Sequence, residues 1–120
     1  MADEPAATQT ELDPKRVAEL IDEGAEIIDV RRPYEFEGGR IAGARNIEMN
    51  ALTASAEEIP RDRPVVFVCR SGNRSGMARD AFREAGYDAY NMAGGMQAWT
   101  EAGMALEPPD GEVRGPLPAS

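Results

Sequence analysis

The amino-acid sequence predicts an α/β protein with an open, mainly parallel sheet and helices on both faces. Short apolar or β-branched segments alternate along the chain with amphipathic segments, a pattern typical of strands joined by helices. One segment, residues 64–69, is apolar throughout and lacks the alternation of a half-exposed strand. Such a strand is buried on both faces, as at the centre of a parallel sheet. The 120 residues suffice for one compact domain but not for two.

The first half of the chain starts with a predicted mobile tail, residues 1–11, that leads into a short strand. A helix is predicted to begin at Asp13-Pro14, because aspartate is a favoured N-cap and proline fits the first helical position. Gly24 is placed to end this helix. A β-branched strand over residues 26–30 follows, and a short helix is predicted from Pro33 to the Gly38-Gly39 pair.

In the second half, residues 45–47 are predicted as a strand and residues 51–59 as a loose helical connection to the central strand. A helix over residues 73–85 and a strand over residues 88–92 come next. A last helix follows Gly94-Gly95 and stops at Gly103. The helix over residues 73–85 is predicted to point five apolar side chains inward: Met77, Ala78, Ala81, Phe82 and Ala85.

The predicted domain therefore spans residues 12–106. The segment that follows, residues 107–120, is rich in proline and glycine and is predicted to be a loosely packed or disordered C-terminal tail.

Charge and hydropathy exclude several classes of partner. The net charge of −9 argues against nucleic acid or an anionic membrane, since both require basic surface. No apolar run approaches the roughly 18 residues of a membrane span. The N-terminus lacks the basic start and apolar stretch of a secretory signal, so a cytoplasmic location is expected. Within this acidic chain, residues 69–83 hold four arginines against one acid, Asp80, which suggests a small anion-binding site.

Residue types that are rare in the chain limit its chemistry further. There is one cysteine, Cys69, so an intramolecular disulfide or a cysteine zinc cluster is impossible. There is no histidine, which excludes Cys–His and Ser–His pairs and histidine metal sites. We therefore expect neither a metal nor a cofactor, and any nucleophile must be activated without histidine.

The segment after the central strand is the strongest candidate for a functional site, and we call it the Cys69 loop. It consists of Cys69, Arg70, Ser71, Gly72, Asn73, Arg74 and Ser75. Small polar residues with a glycine allow the backbone N–H groups of such a loop to converge on an anion, next to the positive end of the following helix. Helix N-termini and nearby arginines lower thiol pKa values, so the sequence predicts a reactive Cys69.

Cys69 and the charged residues around β2 also have a structural interpretation. A lone cysteine at the end of an apolar strand is usually a small buried hydrophobe; the polar loop with two arginines favours reactivity instead. Asp29 ends a neighbouring strand and is predicted to support the site, through a hydrogen bond to the loop or to an arginine. Arg31 and Glu35, four residues apart, are predicted to form a local ion pair.

The sequence resembles the rhodanese family. Its motifs occur in the family order: Asp29-Val30-Arg31, the segment from Gly39 to Ile47, the Cys69 loop, and Gly94-Gly95-Met96-Gln97-Ala98-Trp99. The resemblance runs from about Leu12 to Leu106 and implies a five-stranded parallel sheet flanked by helices. One departure is Arg40, which stands where the family usually has a histidine that is regarded as structural.

The resemblance implies a sulfurtransferase that moves sulfane sulfur in two steps through a Cys69 persulfide. The implied partners are a small anionic donor such as thiosulfate and an acceptor, which is cyanide or a thiol, small or carried by a protein. Arg70 and Arg74 would hold the donor, amides from Arg70 to Arg74 would surround the persulfide, and Gly72 would permit the turn. Ser71, Asn73 and Ser75 would tune the rim of the site or cap the helix.

Two other functions remain open from the sequence. A small cysteine phosphatase or arsenate reductase also cradles an oxyanion in a cysteine loop, but the phosphatase pattern requires arginine at position 75, which is serine here. A sulfur-relay or regulatory module that docks to a partner protein shares the persulfide and differs only in its acceptor.

Overall fold

The structure is a computed structural model, and it describes residues 9–115. Residues 1–8, most of the predicted N-terminal tail, and residues 116–120 lie outside the described part. The secondary-structure elements are β1 (Glu11–Leu12), α1 (Pro14–Asp22), β2 (Glu26–Asp29), α2 (Pro33–Gly38), β3 (Arg45–Asn46), two 3-10 turns (Met49–Ala51 and Ala56–Glu58), β4 (Val65–Val68), α3 (Asn73–Glu84), β5 (Ala89–Met92) and α4 (Gly95–Glu101).

The five strands form one parallel sheet in the order β1-β5-β4-β2-β3. The central position of β4 and the parallel pairing confirm the predicted fold class. Every residue of β4 is fully buried. Val65 and Phe67 pack against one apolar cluster, while Val66 and Val68 pack against the other. Each such side chain contributes about 1.5–3 kcal/mol by its burial, so β4 anchors both layers.

Helices cover both faces of the sheet, as predicted. Ala78 and Phe82 of α3 belong to the cluster on one face, and Val17 of α1 and Trp99 of α4 belong to the cluster on the other. Because all the strands are parallel, their carboxyl ends lie at one edge of the sheet. Ligands bind at this edge in sheets of this type. No helix among residues 9–115 is long and apolar enough to cross a bilayer.

The predicted start and end of α1 are confirmed. The Asp13 side chain accepts a hydrogen bond from the Arg16 backbone N–H at 2.9 Å, which satisfies one of the free donors at the helix start. Gly24 follows the helix with a φ of +102°, a conformation that side chains disfavour.

The inward face predicted for α3 is partly wrong. Ala78 and Phe82 are buried as expected, but Met77 is 64% exposed, and Ala81 and Ala85 are exposed as well. The buried row of the helix is Ser75, Ala78 and Phe82, spaced three and four residues apart. Met77, Ala81 and Ala85 lie on the neighbouring row, which turns away from the sheet.

The described part of the C-terminal segment follows the domain closely rather than leaving it. Glu107 and Arg40 exchange backbone hydrogen bonds of 2.8 and 3.1 Å, and the Glu112 N–H donates to the Gly38 carbonyl at 2.8 Å. A Cβ atom on Gly39 would lie 2.6 Å from the Glu112 carbonyl oxygen, so the close approach requires glycine. Residues 107–115 thus pack along α2.

Arg40, the departure from the family pattern, takes part in this contact. Its backbone pairs with Glu107, and its guanidinium lies 5.2 Å from the centre of the Phe36 ring. A cation over an aromatic face stabilises by about 0.5–1 kcal/mol at an exposed site. Arg40 therefore fills the family histidine position with a packing contact to α2.

Candidate active site

Cys69 lies directly after β4, at the carboxyl edge of the sheet. Its side chain is fully buried, and it packs in the same cluster as Phe67 and Val30. Val30, the residue after β2, donates its backbone N–H to the Val68 carbonyl at 2.9 Å, so the ends of the two strands are in register. The structure thus places the cysteine where the topology predicts a ligand site.

The Cys69 loop turns sharply into α3 at Gly72, which has a φ of +100°. A Cβ at this position would also lie 3.2 Å from the Gly94 backbone nitrogen, so both conformation and space favour glycine. The turn brings the Gly72 N–H to 3.1 Å from the Cys69 Sγ. The buried hydroxyl of Ser75, in the first turn of α3, lies 3.3 Å from the same sulfur.

These donors explain the acidity of the thiol. Burial raises the pKa of Cys69, but hydrogen bonds from the Ser75 hydroxyl and from the backbone N–H groups of Ser75, Gly72 and Ser71 outweigh it. The pKa of Cys69 consequently lies below its ordinary value. The sequence predicted the amides, the helix start and the two arginines as activators; the serine hydroxyl is the largest of the favourable contributions, and the others come from backbone N–H groups.

The backbone of the Cys69 loop is fixed by α4. The N–H groups of Met96 and Gln97 donate to the carbonyls of Cys69 and Arg70 at 2.8 and 3.0 Å. A Cβ on Gly95 would lie 2.5 Å from the Cys69 carbonyl oxygen, so glycine is needed for this contact. The Gly94-Gly95 motif thereby holds the loop from the side of the last helix.

The two arginines of the Cys69 loop differ in their surroundings. Arg74 donates to the Glu35 carboxylate at 3.3 and 3.4 Å, and Glu35 is only 1% exposed. Desolvation lowers the pKa of Arg74, but the hydrogen bond and charge of the Glu35 carboxylate raise this pKa, and the net effect is an increase. The guanidinium is therefore held charged. Within residues 9–115, the Nε of Arg70 is buried without a hydrogen-bond partner. The Arg70 guanidinium thus keeps one donor that no group among these residues accepts.

The predicted ion pair between Arg31 and Glu35 is wrong. The Arg31 guanidinium instead binds the Asp29 carboxylate in a fully buried bidentate pair, with a shortest contact of 2.7 Å. It reaches Glu35 only through the backbone carbonyl, at 3.3 Å. Asp29 is thus bonded to an arginine, one of the two partners predicted for it. Arg31 also donates to the carbonyls of Glu35 and Gly39, and so connects the end of β2 to α2.

The remaining predicted site residues lie at different depths. Ser71 and Asn73 are exposed at the rim of the Cys69 loop, whereas Ser75 is fully buried against the sulfur. Beside the loop is a small cavity of about 230 Å³. Its lining residues are Val30, Arg32, Glu48, Met49, Asn50 and Arg74.

Two residues that contact the Cys69 loop were not singled out from the sequence as site residues. Glu35 receives Arg74 and also accepts the Arg32 backbone N–H at 3.1 Å. Asn91 of β5 is 1% exposed and contacts both Gly72 and Ser75. The sequence does signal Asn91, because it is a polar residue within an otherwise apolar strand. The sequence does not reveal its partners, which depend on the order of the strands in the sheet.

Residues 13–102 match the family described as the rhodanese-like domain. The chain therefore belongs to the rhodanese-like family, and the fold and the cysteine loop described above agree with this assignment.

Three similar proteins illustrate this relationship. A thiosulfate sulfurtransferase, GlpE of Pseudomonas aeruginosa, is 34% identical over 87 residues, which cover 72% of this chain and 79% of GlpE. The uncharacterized protein YqhL of Bacillus subtilis is 46% identical over 76 residues, 62% of this chain and 60% of YqhL. The crystal structure of a rhodanese-related protein from Thermoplasma volcanium gives a TM-score of 0.76 at 29% identity, over 80% of this chain and 95% of that one. Family and named relatives support sulfur transfer as the type of activity.

Proposed function

We propose that the protein is a sulfurtransferase in which Cys69 carries sulfane sulfur as a persulfide, with thiosulfate as a donor. The observation that carries this proposal is the surroundings of the Cys69 Sγ, which faces the Gly72 N–H at 3.1 Å and the Ser75 hydroxyl at 3.3 Å. Donors preorganised around a sulfur favour its anionic form, both as thiolate and as persulfide.

In the first step, the Cys69 thiolate attacks the outer sulfur of thiosulfate. A new S–S bond forms to Sγ, and the S–S bond of thiosulfate breaks with its electron pair leaving on sulfite. The charge of minus three is the same on both sides, so no proton is required. We assign the binding of the anionic donor to Arg70, whose Nε has no partner within residues 9–115.

In the second step, a nucleophilic acceptor removes the outer sulfur. With cyanide, the carbon attacks this sulfur, thiocyanate departs, and the electron pair of the broken S–S bond returns to Sγ as the thiolate. A thiol acceptor, small or carried by a protein, attacks in the same way. The helix end and loop donors hold the Cys69 sulfur through both steps, which is consistent with a two-step transfer through one site.

The test is thiocyanate formation from thiosulfate and cyanide by the wild type and by Cys69→Ser. We expect turnover by the wild type, with parallel double-reciprocal plots, and none by the variant, whose circular dichroism should be unchanged. Turnover that survives the substitution would exclude the mechanism. Hydrolysis of a small aryl phosphate without thiocyanate formation would indicate the cysteine phosphatase alternative instead.

A further inference from the structure

Asn91, in the middle of β5, has both protons of its side-chain amide engaged. The Asn91 Nδ2 donates to the Glu11 Oε2 of β1 at 2.9 Å and to the Gly72 carbonyl oxygen at 3.1 Å. Glu11 is held in turn by an ion pair with Arg79 at 2.6 Å. Because Asn91 is only 1% exposed, these protein groups rather than water determine how the amide is oriented.

This orientation leaves the Asn91 Oδ1 facing Ser75. The Oδ1 lies 2.5 Å from the Ser75 Oγ, a short hydrogen bond between buried groups. A flipped amide would set its oxygen against the Glu11 carboxylate and the Gly72 carbonyl, two groups that can only accept. The network therefore assigns an acceptor to the side of Asn91 that faces Ser75.

The Ser75 hydroxyl has one proton and two acceptors within reach. The Asn91 Oδ1 is at 2.5 Å and the Cys69 Sγ at 3.3 Å. When Cys69 is a neutral thiol, its S–H can donate to the Ser75 Oγ while Ser75 donates to Asn91, so every group is satisfied. When the sulfur is charged it has no proton to give, and it competes with Asn91 for the serine proton.

We propose that Asn91 is a positioning residue that competes with Cys69 for the single Ser75 hydroxyl proton and so limits how strongly the sulfur holds negative charge. A persulfide at Cys69 would face the same hydroxyl, so the inference deepens the proposed function. Its role in catalysis rests on that proposed function. A Cys69 thiolate that is stabilised less is the better nucleophile in the first step, and it is the poorer leaving group in the second.

Charged groups surround this network on every element packed against it, and the test leaves all of them in place. They are Arg70 and Arg74 in the Cys69 loop, Asp29 and Arg31 at the end of β2, Glu35 on α2, Glu48 beside the cavity, Glu11 on β1 and Arg79 on α3. A change at Cys69 on substituting Asn91 is therefore transmitted through the contacts that Asn91 itself makes, with Ser75, Gly72 and Glu11.

The experiment measures the rate at which iodoacetamide alkylates Cys69 as a function of pH. The chain has a single cysteine, so the reaction reports on this thiol alone. We expect Asn91→Ala to lower the pKa of Cys69, because Ser75 is then left with the sulfur as its protein acceptor. The thiolate fraction below the pKa should rise about three- to tenfold. Asn91→Val, which fills more of the space and suits a strand, should shift it in the same direction.

A double-mutant cycle with Ser75→Ala shows whether Asn91 acts on Cys69 through the Ser75 hydroxyl or through its other contacts. Ser75→Ala alone should raise the pKa of Cys69, and adding Asn91→Ala should then have no further effect. An equal shift in both backgrounds would mean that Asn91 acts through Gly72 or Glu11 rather than through Ser75, and would overturn the proposal. An unchanged or raised pKa in both Asn91→Ala and Asn91→Val would overturn it as well. If one of these two variants fails to fold by circular dichroism, the other decides.

This readout is independent of sulfur transfer, because alkylation needs neither donor nor acceptor. A protein that fails to form thiocyanate but shows the predicted cycle would refute the proposed reaction and leave the competition for the Ser75 proton standing. A protein that forms thiocyanate but does not show the predicted cycle would refute only the role of Asn91.

Discussion

Arg74 in the Cys69 loop and Glu35 on α2 form an ion pair across 39 residues of sequence, with guanidinium-to-carboxylate distances of 3.3 and 3.4 Å. The carboxylate is buried, whereas the Arg74 side chain is 38% exposed. Glu35 also receives the backbone N–H of Arg32 at the start of α2. One buried acid thus connects the start of α2 to the start of α3, and it engages Arg74 of the Cys69 loop.

Glu35→Gln tests this connection. The amide keeps the shape of the side chain but removes the charge that Arg74 binds, so we expect unfolding free energy to fall by about 1–3 kcal/mol. The measurement is urea unfolding at neutral pH. Glu37→Gln, on the exposed side of the same helix, is the matched control and should change stability by less than about 0.5 kcal/mol. Equal effects of the two substitutions would contradict the importance of the pair.

Arg70→Ala tests which arginine binds the donor. Arg70 has an unpartnered buried Nε, whereas Arg74 is committed to Glu35, so loss of Arg70 should raise the KM for thiosulfate by roughly ten- to a hundredfold. The cyanide step should change little. Arg63→Ala removes the same charge near Glu26, at the opposite edge of the sheet, and serves as the control. A KM that shifts equally in both variants would show that Arg70 acts only through net charge.

The pKa of Cys69 links the site to stability. Because hydrogen bonds hold the pKa of Cys69 below its ordinary value, the thiolate stabilises the folded state. That contribution is fully present above the unfolded-state pKa and is lost as the pH falls through the folded-state pKa. The stability advantage of the wild type over Cys69→Ser should therefore shrink as the pH is lowered through this window. Urea unfolding at a series of pH values measures it, and a difference independent of pH would be evidence against a lowered pKa.

The features of the fold that are predictable from sequence are those that local chemistry determines. The apolar run of β4 indicated a central buried strand, and Asp13-Pro14 and Gly24 marked the ends of α1. The inward face of α3 was partly wrong because Met77 and Ala81 are apolar but lie one row away from the sheet. Apolar side chains alone do not reveal which row of a short amphipathic helix is covered.

In the candidate site, too, the features set by local sequence could be predicted and those set by tertiary contacts could not. The position of Cys69 and the turn at Gly72 follow from the strand, the loop and the helix that succeed one another in sequence. The partners of Arg74 and Ser75 do not, because Glu35 and Asn91 reach them only through the order of the strands. The ion pair of Arg31 was misassigned for a related reason: four-residue spacing suggested Glu35, but the extended end of β2 places Asp29 closer.

The most direct test of the central claim, that Cys69 accepts sulfur, is the intact mass of the protein after exposure to thiosulfate. We predict a gain of one sulfur atom per chain, located on Cys69 by peptide mapping and lost on addition of cyanide with recovery of the original mass. Cys69→Ser should show no gain. An unchanged mass in the wild type, or an added mass that cyanide does not remove, would contradict the account.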